Sequence, residues 1–210
     1  MPLYKTITVN NHTKVLIWKI DESFDFLSKD VVLTPHCQQR VDDMKSDIHR
    51  RGFMSIRHLL AVVGYTDFDL YYDASGKPNL KDGKQISITH SFEFSGIIIS
   101  DKPVGIDIEK QRDKIQRIAR KFINYESSFV EQQLYKTRVL TVIWGAKESL
   151  YKLYATPGLS FEQHIQVAPF DFDAYATVGK IAYKGEESDY TVRYLEFEGF
   201  TCVFTLPLEE

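Results

Sequence analysis

Residues 4–9 and 14–20 alternate apolar with polar positions, the period of an extended strand, and Asn10-Asn11 between them is a turn signal. The chain is therefore expected to open with a hairpin. Thr34-Pro35 reads as a helix start, with Thr as N-cap and Pro in the first turn, and the helical pattern runs on to Gly64, a C-cap, with Gly52 as a point of interruption inside it. Strands are expected at 67–72, 85–91, 95–100 and 104–109, separated by the turn-forming clusters "DASGKPN", "KDGK" and "SDKP". The period then lengthens. Residues 113–123 and 127–154 read as helices, and 165–206 reads as a set of strands turning at "KGEESD" and "EG".

Helices and strands are segregated and the strands are mostly hairpin-linked, which makes the class α+β with antiparallel sheets. Strand, helix and strand groups occur in each half without any sequence repeat, so two lobes dividing near residue 103 are expected. A length of 210 residues suits one large domain or two small ones, and 43% hydrophobic residues are enough to build a core. The net charge of −3 gives no global case for nucleic acid. The opening "MPLYKTITVN" lacks the apolar run of a signal peptide, and no stretch approaches the roughly 18 apolar residues of a membrane span. Cys37 and Cys202 are far apart and show no CxxC spacing, so neither a zinc site nor a disulfide framework is indicated. The expectation is a cytoplasmic protein with two reduced thiols, binding neither membrane nor nucleic acid.

The chemistry concentrates in two stretches. In "VGIDIE", 104–109, Val104, Ile106 and Ile108 share one side of an extended chain while Asp107 and Glu109 share the other, about 7 Å apart. This is either a half-buried strand whose polar face meets water or a pair of carboxylates sharing a hard divalent cation. In "RVLTVIWGAKESLYKLY", 138–154, Val139, Ile143, Ala146, Leu150, Leu153 and Tyr154 form one apolar stripe. Glu148 and Lys152 lie on the far side, flanked by Trp144 and Tyr151. Four residues apart, they are either an ordinary exposed ion pair or a third oxygen ligand beside a phosphate-binding charge. Between Lys110 and Lys121 the basic residues Lys110, Arg112, Lys114, Arg117, Arg120 and Lys121 face one acid, Asp113. That row is a solvated face or a docking surface for an acidic partner.

"VGIDIE" followed by "WGAKESLYK" resembles the paired signature of the 4′-phosphopantetheinyl transferase superfamily, a G-I-D-x-E strand and a W-x-x-K-E-x-x-x-K helix, in its monomeric two-lobed branch. "GKPNL", 76–80, resembles the family's G-K-P turn, "ISITHS", 86–91, its S-x-S-H-S strand, and "RRGFMSIRHLL", 50–60, an arginine-bearing helix. The resemblance covers about residues 50–160. It implies two similar α+β lobes in pseudo-dimeric arrangement, with mostly antiparallel sheets and packed helices: 1–103 carrying coenzyme A-binding elements and 104–210 carrying metal-binding carboxylates. By the same resemblance Lys77, Thr89 and His90 hold the nucleotide end and phosphates of coenzyme A, with Arg51 and Arg57 as further phosphate contacts. Position 89 is Thr where the family usually has Ser, which keeps the hydroxyl. Asp107, Glu109 and Glu148 would hold Mg²⁺, or Mn²⁺ in its place. Lys152 would bind the same phosphates, with Lys147 as helper, and Glu148 is the candidate base. "KFINYE", 121–126, resembles an F-x-x-x-E element, and no catalytic role is assigned to Glu126. The implied reaction transfers 4′-phosphopantetheine from coenzyme A to a serine of an apo acyl or peptidyl carrier protein, releasing 3′,5′-ADP. The rival readings are an inactive coenzyme A-binding member and a noncatalytic carrier-binding protein.

Overall fold

A computed structural model describes residues 3–208, which fall into one unit ending at Asp101 and a second beginning at Lys102. In the first, the strands β1 (Leu3–Asn10) and β2 (Thr13–Lys19) form the expected hairpin. Three helices follow. The short α1 (Phe24–Ser28) is capped by Ser23, and α2 (Pro35–Asp43) starts on Thr34, whose Oγ1 accepts from the Cys37 amide at 3.3 Å. The long α3 (Asp47–Val62) buries Phe53, Ile56, Leu59 and Leu60. After them come β3 (Leu70–Tyr72), β4 (Pro78–Leu80), β5 (Gln85–Ser91) and β6 (Phe94–Ser100). The sheet order is β1-β2-β6-β5-β4-β3 with every pairing antiparallel, and α3 packs on β2, β5 and β6.

Two expectations change here. The helical pattern of 34–64 is broken at 44–46, where Met44 is extended, and not at Gly52, which lies inside α3. The strand expected at 67–72 keeps only its last three residues, because Asp67 turns inward: it is 2% exposed and takes hydrogen bonds from the Thr34 amide and hydroxyl at 2.7 and 3.0 Å.

The second unit opens with β7 (Gly105–Lys110), then α4 (Lys114–Ile118) running into a 3-10 turn, and α5 (Ser127–Val130). The dominant helix is α6 (Lys136–Tyr154). Four strands close the unit: β8 (Ile165–Val167), β9 (Ala176–Tyr183), β10 (Glu186–Phe197) and β11 (Phe200–Pro207). Their order is β7-β11-β10-β9-β8, again antiparallel throughout, so β7 stands at an edge of this sheet and α6 lies across it. The helix expected over 127–154 is interrupted at 131–135, a segment with neither Gly nor Pro, and its Leu134 is 92% exposed. The predicted stripe of α6 holds: Val139, Ile143, Ala146, Leu150 and Leu153 are buried in one cluster with Val167, Ile181 and Val192. The architecture is α+β, and among the described residues no helix is long and apolar enough to cross a membrane.

Candidate active site

Two glycines decide how closely α6 approaches the edge of its sheet. A Cβ built on Gly105 of β7 would stand 1.8 Å from the Ser149 carbonyl oxygen of α6. One built on Gly145 of α6 would stand 2.7 Å from Val203 Cγ2 and 3.9 Å from Asp107 Oδ2. Val203 is the register partner of Asp107 across β7 and β11. The backbones of strand and helix thus meet at Gly105, and at Gly145 the helix backbone rests on the Val203 side chain, approaches that a Cβ would obstruct. The Ser149 hydroxyl adds to it, 2.7 Å from the Gly145 carbonyl and 3.0 Å from that of Val203.

This contact settles the orientation of "VGIDIE". Ile106 and Ile108 are buried on one side of β7, at 0% and 1% exposure, and Asp107, at 5%, is buried on the side facing α6. The polar face of the strand therefore packs against α6 at Asp107 and is only partly open at Glu109. Lys152 Nζ donates to Asp107 Oδ1 at 2.8 Å and to the Ile106 carbonyl at 2.9 Å, so its partner is the strand rather than Glu148. Trp144 Nε1 donates to Glu109 Oε1 at 3.1 Å. Glu109 and Glu148 are both half-buried.

The three carboxylates share one electrostatic field. Burial raises the Glu109 pKa from 4.5 to about 7, the charges of Asp107 and Glu148 add to the rise, and the Trp144 hydrogen bond opposes it. Glu148 is raised too, by burial first and then by Asp107, with Lys152 pulling the other way. As the side chains stand, no three or more His, Cys, Asp or Glu among the described residues form a ready metal-holding group. The donor chemistry nonetheless fits a hard cation: carboxylate oxygens, semi-enclosed, whose mutual repulsion Lys152 offsets in part.

Lys147, one residue before Glu148, is not available to a phosphate. Its side chain is 0% exposed, and its ammonium group donates to Glu126 Oε1 at 2.9 Å and to the carbonyls of Phe161 and Ile165 at 2.9 and 2.7 Å. Those three bonds use all three of its protons. Burial pulls its pKa down while Glu126 opposes the shift. Glu126 also accepts from the Val167 amide at 2.9 Å and the Asn124 amide at 3.3 Å. The pair fastens α6 to β8 and to the segment before α5, a role that composition alone could not reveal.

Arg57 of the first unit is corrected in the same way. Its side chain is 3% exposed; Nε and Nη2 reach Asp67 Oδ1 at 2.9 and 2.8 Å, Nη1 reaches the Phe53 carbonyl, and Nη2 lies 3.2 Å from Cys37 Sγ. The guanidinium is also stacked 3.5 Å from the Phe53 ring centroid. It is a core ion pair, buried and with four of its five N–H donors engaged inside the unit. Arg51 is partly committed, its Nε 2.8 Å from Asp47 Oδ2 and its Nη1 3.4 Å from the Glu22 carbonyl, and keeps 27% side-chain exposure.

Lys77 is half-buried at the end of a turn fixed by Asp73, whose Oδ1 accepts from the Ser75 hydroxyl, the Ser75 amide and the Lys77 amide. Thr89 and His90 are consecutive in β5 and so point to opposite faces of the sheet: Thr89 is buried, whereas His90 is exposed on the face that carries α3. His49, to which its spacing in the sequence assigns no role, borders His90 with ring centroids 6.0 Å apart and planes tilted by 50°. Outside these groups, Lys114, Arg117, Arg120 and Lys121 stand exposed along α4 and the turn after it.

Comparison with known proteins agrees with the motifs. The model of the 4′-phosphopantetheinyl transferase superfamily matches residues 103–204. The 4′-phosphopantetheinyl transferase gsp of Aneurinibacillus migulanus is 26% identical over 152 residues, 70% of this chain and 62% of that protein. The crystal structure of Thermotoga maritima holo-[acyl-carrier-protein] synthase aligns with 51% of this chain and 64% of its own, at 12% identity and a TM-score of 0.39. The chain thus spans a little under two thirds of the length of either relative.

Proposed function

We propose, from the match of residues 103–204 to the model of the 4′-phosphopantetheinyl transferase superfamily, that this chain transfers the phosphopantetheine arm of coenzyme A to a serine hydroxyl of an apo acyl or peptidyl carrier protein. The serine oxygen forms a bond to the phosphorus that bears the pantetheine arm, the bond from that phosphorus to the bridging oxygen breaks, and 3′,5′-ADP leaves with the electron pair. The observation that carries this reading is the common field of Asp107, Glu109 and Glu148 beside Lys152 at the contact of β7 with α6.

Asp107, Glu109 and Glu148 are the residues that would hold a divalent cation, Mg²⁺ or Mn²⁺, whose contribution is to neutralise the pyrophosphate charge. Lys152, 29% exposed and already at the site, supplies a positive side chain for charge that develops on the phosphate oxygens. The serine proton needs an acceptor. Glu148, a carboxylate whose pKa is raised by burial and by the charge of Asp107, suits that role. The exposed basic row of Lys114, Arg117, Arg120 and Lys121 suits the approach of an acidic carrier domain. In the first unit, Arg51, Lys77, Thr89 and His90 remain as contacts for coenzyme A; Arg57 does not.

Mass spectrometry of an apo carrier incubated with this protein, coenzyme A and Mg²⁺ tests the proposal. A gain of one phosphopantetheine arm is expected, with none from Asp107→Ala. Carriers that stay unmodified across a panel drawn from fatty acid, polyketide and peptide synthesis would count against it.

A further inference from the structure

We propose that Gly52 and His49 of α3 are positioning residues that seat the His90 imidazole for the phosphorylated nucleotide end of coenzyme A; the identity of that ligand rests on the transfer reading above. Gly52 sits inside a 16-residue helix, where glycine is the poorest helix former after proline. A turn does not explain it, since the helix runs straight through the position. Space does. The three heavy atoms nearest to a Cβ built at Gly52 all belong to His90: Cγ at 3.4 Å, Nδ1 at 3.5 Å and Cβ at 3.7 Å.

His49 precedes Gly52 by three residues and so shares its face of α3, where its ring lies 6.0 Å from that of His90, tilted by 50°. Ser55 follows by three on the same face, and its Oγ lies 2.7 Å from Ser95 Oγ in a buried bond. Ser95 is the register partner of His90 across β5 and β6. Positions 49, 52 and 55 therefore meet residues 90 and 95 as one seat. The serine pair sets the distance between helix and strand, the imidazole packs against the bare face of Gly52, and His49 borders it. His90 itself stays exposed. A ring confined by packing loses less freedom when it meets an anion, so the seat raises affinity without touching the reacting phosphorus.

The test compares coenzyme A with 3′-dephospho-coenzyme A, in carrier modification and in direct calorimetric titration. Gly52→Leu fills the seat and is expected to raise KM and Kd for coenzyme A about tenfold, leave kcat within about twofold, and leave the values for the dephospho form unchanged. Gly52→Ala adds a methyl that meets the ring at ordinary contact distance and is expected to leave both ligands nearly unaffected. His49→Ala is expected to weaken coenzyme A about threefold with the same selectivity, and it carries the test should Gly52→Leu fail to fold. His90→Ala sets the ceiling of the effect. Equal losses for the two ligands, or no loss with either Gly52→Leu or His49→Ala, overturn the seat. A wild-type protein that modifies no carrier yet binds coenzyme A with this selectivity overturns the transfer reading and leaves the seat standing.

Discussion

Two lysines on one helix, five residues apart, have opposite circumstances. Lys147 is wholly enclosed, with a carboxylate and two carbonyls answering its three protons. Lys152 is partly open, and the acids around it outnumber it: Asp107, Glu109 and Glu148 act on one another, and Glu109 holds its proton up to about 7. Arg57 with Asp67 repeats the first pattern in the other unit. A buried charge whose partners are all supplied by the chain is part of the frame. A cluster whose charges do not balance is where a ligand has something left to neutralise.

The sharpest way to break this contrast is to leave one partner of the enclosed pair alone. Lys147→Met strands Glu126 in the core and is expected to lower unfolding free energy by about 3–5 kcal/mol in urea titrations, whereas Lys147→Met with Glu126→Leu recovers much of that loss. Equal destabilisation by the single and double substitutions would show that the pair contributes only through shape.

A smaller effect is expected where the two motifs meet. Gly105→Ala pushes a methyl against the Ser149 carbonyl and is expected to cost about 1–3 kcal/mol of stability. Because the same contact sets β7 against α6, carrier modification is expected to fall more than stability does, as assayed on the folded fraction.

The smallest change has the opposite sign. A carboxyl whose pKa is raised in the folded protein opposes folding more and more as pH climbs from about 4.5 to about 7, and the whole cost is present above that range. Glu109→Gln removes the charge, and its amide oxygen can still accept the Trp144 hydrogen bond. In the absence of divalent ions it is expected to be about 1–2 kcal/mol more stable than wild type at pH 8, the gap closing toward pH 5, while carrier modification is lost. Denaturant midpoints at the two pH values check the sign.

Much of the fold was legible in the chain because it follows from local periods: the β1–β2 hairpin, the core stripe of α6, and the strands at 85–91, 94–100 and 105–110 all announce themselves by alternation or helical spacing. The interruption at 131–135 did not, since it contains no residue that forbids a helix, and Gly52 misled because tertiary packing overrode its poor propensity. At the site, the motif residues of β7 and α6 were legible as a group. What was not legible is which charges the fold would satisfy internally. Lys147 finds Glu126 across 21 positions and Arg57 finds Asp67 across 10, and no spacing rule connects such partners.

Cys37 and Cys202, at 4% and 0% exposure, lie one in each unit. The Cys202 thiol is held above its ordinary pKa by burial and by the charge of Asp107, which disfavours the reactive thiolate. Neither sulfur should meet an alkylating reagent until its own surroundings open. The unaltered protein thus carries a separate chemical clock in each half, and the rate at which each thiol is trapped reads the opening of that half without any label having to be introduced.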